Sequence, residues 1–337
     1  MVPIRWEDHA LSLLDQTLLP ARVAWNTYRD YRPVIGDIKR LAVRGAPLIG
    51  VAAAYAYVLA AWEFTGHADF AACMTQAKEA LWASRPTAVN LFWALEQMDA
   101  ARLRLGDDPA GLEAEARAIQ AENIAMNAAM GRFGAEVVPE GARILTHCNA
   151  GALATDGIGT ALGVVRAAWE QGKVRMVYAD ETRPLLQGSR LTAYELHADG
   201  IPVTVIADNM AAALMRKGLI DMAIVGCDRM AANGDFANKT GTYAVAVACH
   251  HHGIPFYTAL PTSTMDLSLK DGSGIPIEER GAEELRFVGD AQTAPLEAAV
   301  YNPAFDVTPH ELLTGIITEK GVILPPFEEK LKALFPG

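Results

Sequence analysis

The amino-acid sequence predicts an α/β protein: a Rossmann-like open parallel sheet with a smaller, mostly helical N-terminal domain. Three observations point there. The chain has 337 residues, more than one typical domain of roughly 150. Up to about residue 131, apolar residues recur at helical spacing. From residue 141 onward, short β-rich runs alternate with helix-compatible stretches. The run starts lie about 20–30 residues apart, the spacing of βα units joined by crossover helices. The expected division is therefore 1–131 and 132–337.

Residues 1–14 mix Arg5, Glu7, Asp8 and His9 with apolar residues, and lack the charged-then-apolar order of a signal peptide. Residues 15–24 read as polar turn. Residues 35–43 place Ile35, Ile38, Leu41 and Ala42 on one helical face. Gly45 loosens the backbone and Pro47 disfavours helix at Ala46, so the next helix is expected over 48–64. Its apolar stretch 48–62 is Ala-rich, short for a membrane helix and suited to a buried one. Helices follow at 71–83, 88–104 and 109–130, with a break at Arg85-Pro86-Thr87. Strands are expected at 142–146, 174–179, 202–207, 222–225 and 255–260, and helices at 158–171, 190–199, 210–217 and 242–252. Near-continuous apolar strands suit a parallel sheet covered on both faces.

The composition is that of a globular protein, 51% hydrophobic and 20% charged. A net charge of −11 argues against general binding to nucleic acid or anionic membranes, both of which need a basic face. Cys73, Cys148, Cys227 and Cys249 are dispersed and form no paired framework, which suits a reducing cytoplasm.

Ligands of open parallel sheets bind beyond the carboxyl ends of the strands. All five expected strands end in polar or titratable residues: His147-Cys148-Asn149, Asp180-Glu181-Thr182-Arg183, Asp208-Asn209, Gly226-Cys227-Asp228-Arg229 and Thr262-Ser263-Thr264. One or two such endings are ordinary loop composition; five together point to an active site. The Gly-rich run 149–157 lies between a strand and a helix, where backbone N–H groups can cradle a phosphate. It fits neither the dinucleotide fingerprint nor a Walker loop. Arg44 and Arg85, at helix breaks, are candidate phosphate cations, though each taken alone reads better as a surface arginine. Lys239 beside Asn238, expected to open a helix, has the same two readings. Cys148, before the Gly-rich turn and a helix, lies where helical N–H groups lower a thiol pKa; the other reading is a structural buried cysteine. Asp228 is a candidate general acid if burial raises its pKa. No metal site is expected: His250-His251-His252 splay around a helix, and Cys148 and His147 have no partner at zinc spacing.

Several segments occur together in this order. They are Val43-Arg44-Gly45-Ala46-Pro47, Thr146-His147-Cys148-Asn149-Ala150-Gly151, Asp180-Glu181-Thr182-Arg183-Pro184 with Gln187-Gly188-Ser189-Arg190-Leu191-Thr192, and Gly226-Cys227-Asp228-Arg229 with Ala232-Asn233-Gly234-Asp235, Asn238-Lys239 and Gly241-Thr242-Tyr243. On these residues the chain closely resembles the methylthioribose-1-phosphate isomerases, aldose–ketose isomerases of methionine salvage, from about Arg44 to Pro325. The wider family includes ribose-1,5-bisphosphate isomerases and regulatory subunits of the translation-initiation exchange factor. The resemblance implies conversion of 5-methylthioribose 1-phosphate to 5-methylthioribulose 1-phosphate. It implies Asp228 as proton donor and Cys148 as the group that stabilises the transition state. It further implies substrate contacts from Arg44, Gly45, Ala46, Arg85, Gln187, Asn238 and Lys239, a homodimer, and no cofactor. Cys227 stands where relatives often carry a small residue. The alternatives are a related sugar-1-phosphate isomerase, acting on 5-deoxyribose 1-phosphate or ribose 1,5-bisphosphate, or a non-catalytic exchange-factor-like subunit. Retention of Cys148 and Asp228 speaks against the latter.

Overall fold

The structure, a computed structural model, describes residues 1–85 and 89–334. It divides into two units, Met1–Ala128 with Gly151–Gly159, and Ala129–Ala150 with Thr160–Gly337. The expected break at Pro86-Thr87 lies outside the described residues, as does Ala88, the expected start of the helix that follows.

The first unit opens with a three-stranded antiparallel sheet that the sequence reading passes over: β1 (Ile4–Glu7), β2 (Ala10–Leu14) and β3 (Trp25–Tyr28). In β1, Ile4 and Trp6 are buried and Arg5 and Glu7 exposed, so the strand period of two is present but brief. Five helices follow: α1 (Arg32–Lys39), α2 (Ala46–Phe64), α3 (Phe70–Trp82), α4 (Val89–Leu105) and α5 (Pro109–Glu136). Helix α1 stops short of the expected residue 43, and Leu41 adopts a left-handed φ of 63°. Helix α2 begins at Ala46 rather than 48, because Pro47 occupies the first turn, where its missing N–H costs nothing. Helix α5 runs past the expected end at 130 to Glu136.

Helix α2 is the centre of this unit, with every residue from Leu48 to Ala61 buried. Its length and mean hydropathy of 1.4 would suit a membrane span, yet 78% of the stretch is buried within the protein, as expected for a core helix. Its alanines and Gly50 admit close neighbours. A Cβ on Gly50 would stand 2.8 Å from the Asn90 carbonyl oxygen. Since Gly50 is near the start of α2 and Asn90 at the start of α4, the two amino ends lie side by side. Around them Trp6 stacks on Tyr55, and Trp82 on Phe92, at 4.9 and 4.1 Å between ring centres.

From Ala142 the elements in chain order are β4 (Ala142–Thr146), α6 (Ala152–Thr155, a short helix in the segment grouped with the first unit), α7 (Ala161–Glu170), β5 (Val174–Asp180), α8 (Ala193–Ala198), β6 (Val203–Ile206), α9 (Ala211–Arg216) and β7 (Met222–Val225). Then come β8 (Arg229–Ala231), β9 (Phe236–Lys239), α10 (Thr242–His252), β10 (Phe256–Ala259), β11 (Met265–Asp266), α11 (Glu283–Arg286), β12 (Phe287–Val288), β13 (Ala291–Gln292), β14 (Phe305–Thr308), β15 (Gly315–Thr318), β16 (Gly321–Ile323) and α12 (Phe327–Ala333). The five expected strands are β4, β5, β6, β7 and β10. They form most of a seven-stranded sheet of order β16-β15-β10-β7-β4-β5-β6. All its pairs are parallel except β15 with β16. The chain builds outward from β4 through β5 to β6, then returns to β7 on the other side of β4. That reversal makes the β4/β7 junction the switch point of a Rossmann-type order. Leu214 and Met215 of α9, Val245 and Cys249 of α10 and Leu331 of α12 share one core with Ala223, Val225 and Phe256 of the sheet, so these helices cover one face. The sequence reading also omits a second sheet, β11-β8-β9-β14, that follows the end of β7.

The amino ends of β4 and β7 are held by an ion pair. Asp221 accepts from the Arg143 backbone N–H at 2.8 Å and from its guanidinium at 2.9 and 2.6 Å. The Arg143 guanidinium holds the Asp221 carboxyl below the usual carboxylate range. A depressed folded pKa contributes stability that is full above the unfolded value, about 3.9, and is lost as pH falls through the folded pKa. Asp221→Asn is expected to lower stability by about 1 kcal/mol at neutral pH, discounted for partial exposure. In urea titrations the gap to the parent should close in acid, with turnover unchanged.

Candidate active site

Three loops meet at the carboxyl end of the sheet, around the switch point. The first follows β4. His147 is buried, with Nδ1 2.9 Å from Asp180 Oδ2 at the end of β5 and Nε2 2.9 Å from the Thr240 carbonyl oxygen. A carbonyl only accepts, so Nε2 carries a proton, and a single further proton lies between Nδ1 and Asp180. Burial opposes the His147 charge, but the Asp180 carboxylate outweighs it and its pKa is raised. Burial raises that of Asp180 as well, despite the imidazole. Cys148, half-buried, has a φ of 65°. A left-handed non-glycine residue costs about 1–3 kcal/mol and persists only where its surroundings enforce it. Its N–H donates to Thr182 Oγ1 at 2.8 Å, and its carbonyl accepts from Thr192 Oγ1 at 2.6 Å. Asn149 donates to Glu195 at 3.0 Å and to Thr192 at 3.2 Å, and Arg166 neutralises Glu195 from 2.9 Å. The helix expected after Cys148 and the Gly-rich run is α7, which starts at Ala161, and the four-residue α6 intervenes.

The second loop follows β5. The N–H groups of Thr182 and Arg183 both donate to Asp208, at 2.6 and 2.7 Å. The chain then enters a π-helical turn, Gly188–Thr192, and continues into α8. Gln187 precedes this turn, buried, and its Oε1 has no hydrogen-bond partner among the described residues. A buried acceptor left open is costly unless a ligand fills it.

The third loop follows β7. A Cβ on Gly226 would meet Ala150 Cβ at 2.8 Å and stand 3.9 Å from Asn238 Oδ1, so the ends of β4 and β7 and Asn238 converge. Asp228 is half-buried, and its N–H donates to the Ala237 carbonyl at 2.9 Å. Asn238 and Lys239 do not open a helix as expected; they are buried on β9, ahead of α10. Pairing of β9 with β14 overrides the local helical signal. Asn238 donates to Thr242 at 2.9 Å, and Lys239 Nζ donates to the Ala304 carbonyl at 2.7 Å, 4.6 Å from the Phe305 ring centre. Asp306 accepts from Gly241 and Tyr243 N–H at 2.7 and 3.2 Å, capping α10 from another strand. Burial nevertheless raises its pKa.

Cys148 and Asp228 therefore leave adjacent parallel strands on the two sides of the switch point, with Gln187, Asn238 and Lys239 on the surrounding loops and strand. The other expected site residues belong to the first unit. Arg44 precedes α2. Gly45 has a φ of 91° and its Cβ position falls 2.5 Å from Ala154 Cα, so only glycine fits. Ala46 begins α2, and Arg85 lies between α3 and α4. With the amino ends of α2 and α4 adjacent, both arginines stand at one end of the helical layer.

Sequence reasoning assigns no individual role to Thr182, Thr192, Asp306 or His147. Position at a strand end flags His147, Asp180 and Asp208, but nothing local joins Asp306 to Gly241, 65 residues apart. His147, Asp180 and Asp208 bring ligand-type atoms within 4.8 Å of one another. Both His147 nitrogens and both Asp208 oxygens are engaged in hydrogen bonds, however, and only Asp180 Oδ1 is uncommitted. This donor set fits a positioning network rather than a metal.

Residues 42–325 match the Initiation factor 2 subunit family. The methylthioribose-1-phosphate isomerase of Heliobacterium modesticaldum is 56% identical over 99% of this chain and 99% of its own length. The crystal structure of 5-methylthioribose 1-phosphate isomerase from Pyrococcus horikoshii OT3 matches with a TM-score of 0.93 at 46% identity, over 99% of this chain and 95% of that one. The crystal structure of the translation initiation factor eIF-2B, subunit delta, from A. fulgidus matches with a TM-score of 0.89, also at 46% identity, over 98% of this chain and 99% of that one.

Proposed function

We infer the function from one premise: this chain belongs to the Initiation factor 2 subunit family, and the methylthioribose-1-phosphate isomerases of Heliobacterium modesticaldum and Syntrophotalea carbinolica are 56% identical to it over nearly its whole length. It is an aldose–ketose isomerase that converts 5-methylthioribose 1-phosphate to 5-methylthioribulose 1-phosphate in methionine salvage. The observation that supports this reading is that Cys148 and Asp228 lie in the loops that follow two neighbouring parallel strands, β4 and β7, at the switch point.

The substrate is blocked at its anomeric oxygen by phosphate, so the ring opens only when C1 is activated. Asp228, protonated, gives its proton to the ring oxygen as the C1–O bond breaks, leaving a cationic C1. Hydrogen then reaches C1 from C2 by one of two routes. In a hydride shift, C2–H passes to C1 with its electron pair, the C2 hydroxyl becomes a ketone, and its proton returns to Asp228. Cys148 stabilises the developing charge. In the enediol route, Cys148 as thiolate takes the C2 proton to leave a C1=C2 enol, then returns a proton to C1 as the C2 hydroxyl gives its proton to Asp228 and becomes the ketone. Solvent deuterium at C1 marks the second route, and its absence the first.

Arg44 and Arg85 hold the phosphate. Gly45 and Ala46 open α2, whose first N–H groups lack intrahelical acceptors and suit an anion. Gln187, with its open buried Oε1, accepts a sugar hydroxyl, and Asn238 and Lys239 complete the contacts. The protein works in the cytoplasm as a homodimer, needs no cofactor, and binds neither nucleic acid nor membrane. None of its four cysteines is in a disulfide, its net charge is −11, and its most apolar helix is buried, all in keeping with that setting.

The match to the eIF-2B delta subunit supports a second reading, a non-catalytic scaffold. An NMR assay without added metal or nucleotide separates the two. Methylthioribose 1-phosphate should be converted to its ketose, faster than 5-deoxyribose 1-phosphate or ribose 1,5-bisphosphate. No turnover on any of the three overturns the isomerase reading, and preference for the bisphosphate overturns the substrate.

A further inference from the structure

We propose that Thr182 and Thr192 are positioning residues for the isomerisation: their hydroxyls bracket the backbone of Cys148 and set the direction of its thiol. The proposal rests on the catalytic reading of Cys148. A residue with a φ of 65° stands in a region that L-residues rarely visit. Relaxed to an ordinary conformation, Cys148 would swing its Cα–Cβ bond and carry Sγ with it. Two hydrogen bonds oppose that swing, one on each flanking peptide. On the amino side the N–H donates to Thr182 Oγ1 at 2.8 Å, and on the carboxyl side the carbonyl accepts from Thr192 Oγ1 at 2.6 Å.

Each threonine is itself held. Both are fully buried. Thr182 donates its hydroxyl to the Asp180 carbonyl at 3.0 Å, and its own N–H is fixed by Asp208 at 2.6 Å. Thr192 closes the 188–192 turn and accepts from Asn149 at 3.2 Å. The hydroxyl protons are thereby directed: that of Thr182 to Asp180, leaving its oxygen to accept from Cys148, and that of Thr192 to Cys148 itself. Neither side chain is assigned to the substrate. Their effect passes through the thiol, where a shift of about 1 Å in a reacting group costs on the order of a hundredfold in rate.

The test replaces each threonine by valine, which keeps the branched shape and removes the hydroxyl, and by serine, which keeps the hydroxyl. Thr182→Val and Thr192→Val are expected to lower kcat by about tenfold or more with KM within about twofold, and the serine variants to restore kcat to within about twofold of the parent. Iodoacetamide alkylation of Cys148, followed by mass spectrometry against Cys73 as internal reference, should change rate in the valine variants and return in the serine variants. If a valine variant does not fold, the smaller alanine variant at that position takes its place. Cys148→Ala is measured in parallel. If it abolishes turnover while the valine variants keep kcat within twofold, the positioning proposal fails and the catalytic reading stands. If Cys148→Ala is fully active, the catalytic reading fails first. A rise in KM with unchanged kcat, or serine variants as impaired as valine, also overturns the proposal.

Discussion

Cys148→Ala and Asp228→Asn should each lower turnover by roughly a hundredfold or more while leaving a folded protein. The magnitude is that of removing a positioned acid or base from a reaction that needs it. The fold should survive because neither side chain is deeply buried, and the backbone of both segments is itself anchored. Cys148 is tied through its N–H and carbonyl to Thr182 and Thr192, and Asp228 through its N–H to Ala237. Steady-state kinetics with urea titrations of both variants check this. Near-parental turnover with either removes that residue from the chemistry. Asp221→Asn, at the amino ends of the same two strands, serves as the contrast, since it should alter stability and leave turnover alone.

Gly188→Ala should produce the largest structural effect of any single methyl group at this site. A Cβ there would fall on the Asp180 carbonyl oxygen, with the carbonyl carbon at 2.8 Å and Thr182 Oγ1 at 2.9 Å. A Cβ has no rotamer by which to escape, and the obstacle is backbone of the sheet. Either the end of β5 or the 188–192 turn must move, and the turn carries Gln187 and Thr192 with it. The expected cost is about 2–4 kcal/mol of stability, in the range of severe overpacking, with turnover down at least about tenfold. Denaturant titration and kinetics measure both. Gly36→Ala, which would meet nothing within 4 Å inside α1, is the control and should be neutral or slightly stabilising. Equal behaviour of the two variants would refute the packing argument.

Much of the fold was legible from local pattern. The strands 142–146 and 222–225 and the helix 242–252 match β4, β7 and α10 at both ends, because each is an apolar run or a helical face bounded by turn residues. The gaps have physical causes. Strands of three or four residues, such as β1, β8 and β9, are too short for alternation to stand out. β1 pairs with β2 across a turn at Asp8 and His9, which take left-handed φ values of 48° and 56° without a glycine to announce it. Asn238 and Lys239 precede a genuine helix by three residues and were read into it.

The proposed catalytic residues, Cys148 and Asp228, are legible for a different reason. Residue type at a strand end is a local property, and so Cys148 and Asp228 could be singled out one at a time. That the strands preceding them are neighbours is not local. It follows from the chain returning past β4 to add β7, a choice made by burial of the whole sheet and the handedness of its crossovers. Sequence by itself determined which segments are strands and helices, which residues stand at their ends, and the family to which the chain belongs. Only the tertiary structure decided that β4 and β7 lie side by side, that Cys148 is held in a left-handed conformation by two distant threonines, and that His147 is spent on Asp180 and Thr240. Propensity and periodicity act between residues a few positions apart, whereas hydrogen bonds across 34 and 44 residues exist only after the sheet has brought their partners together.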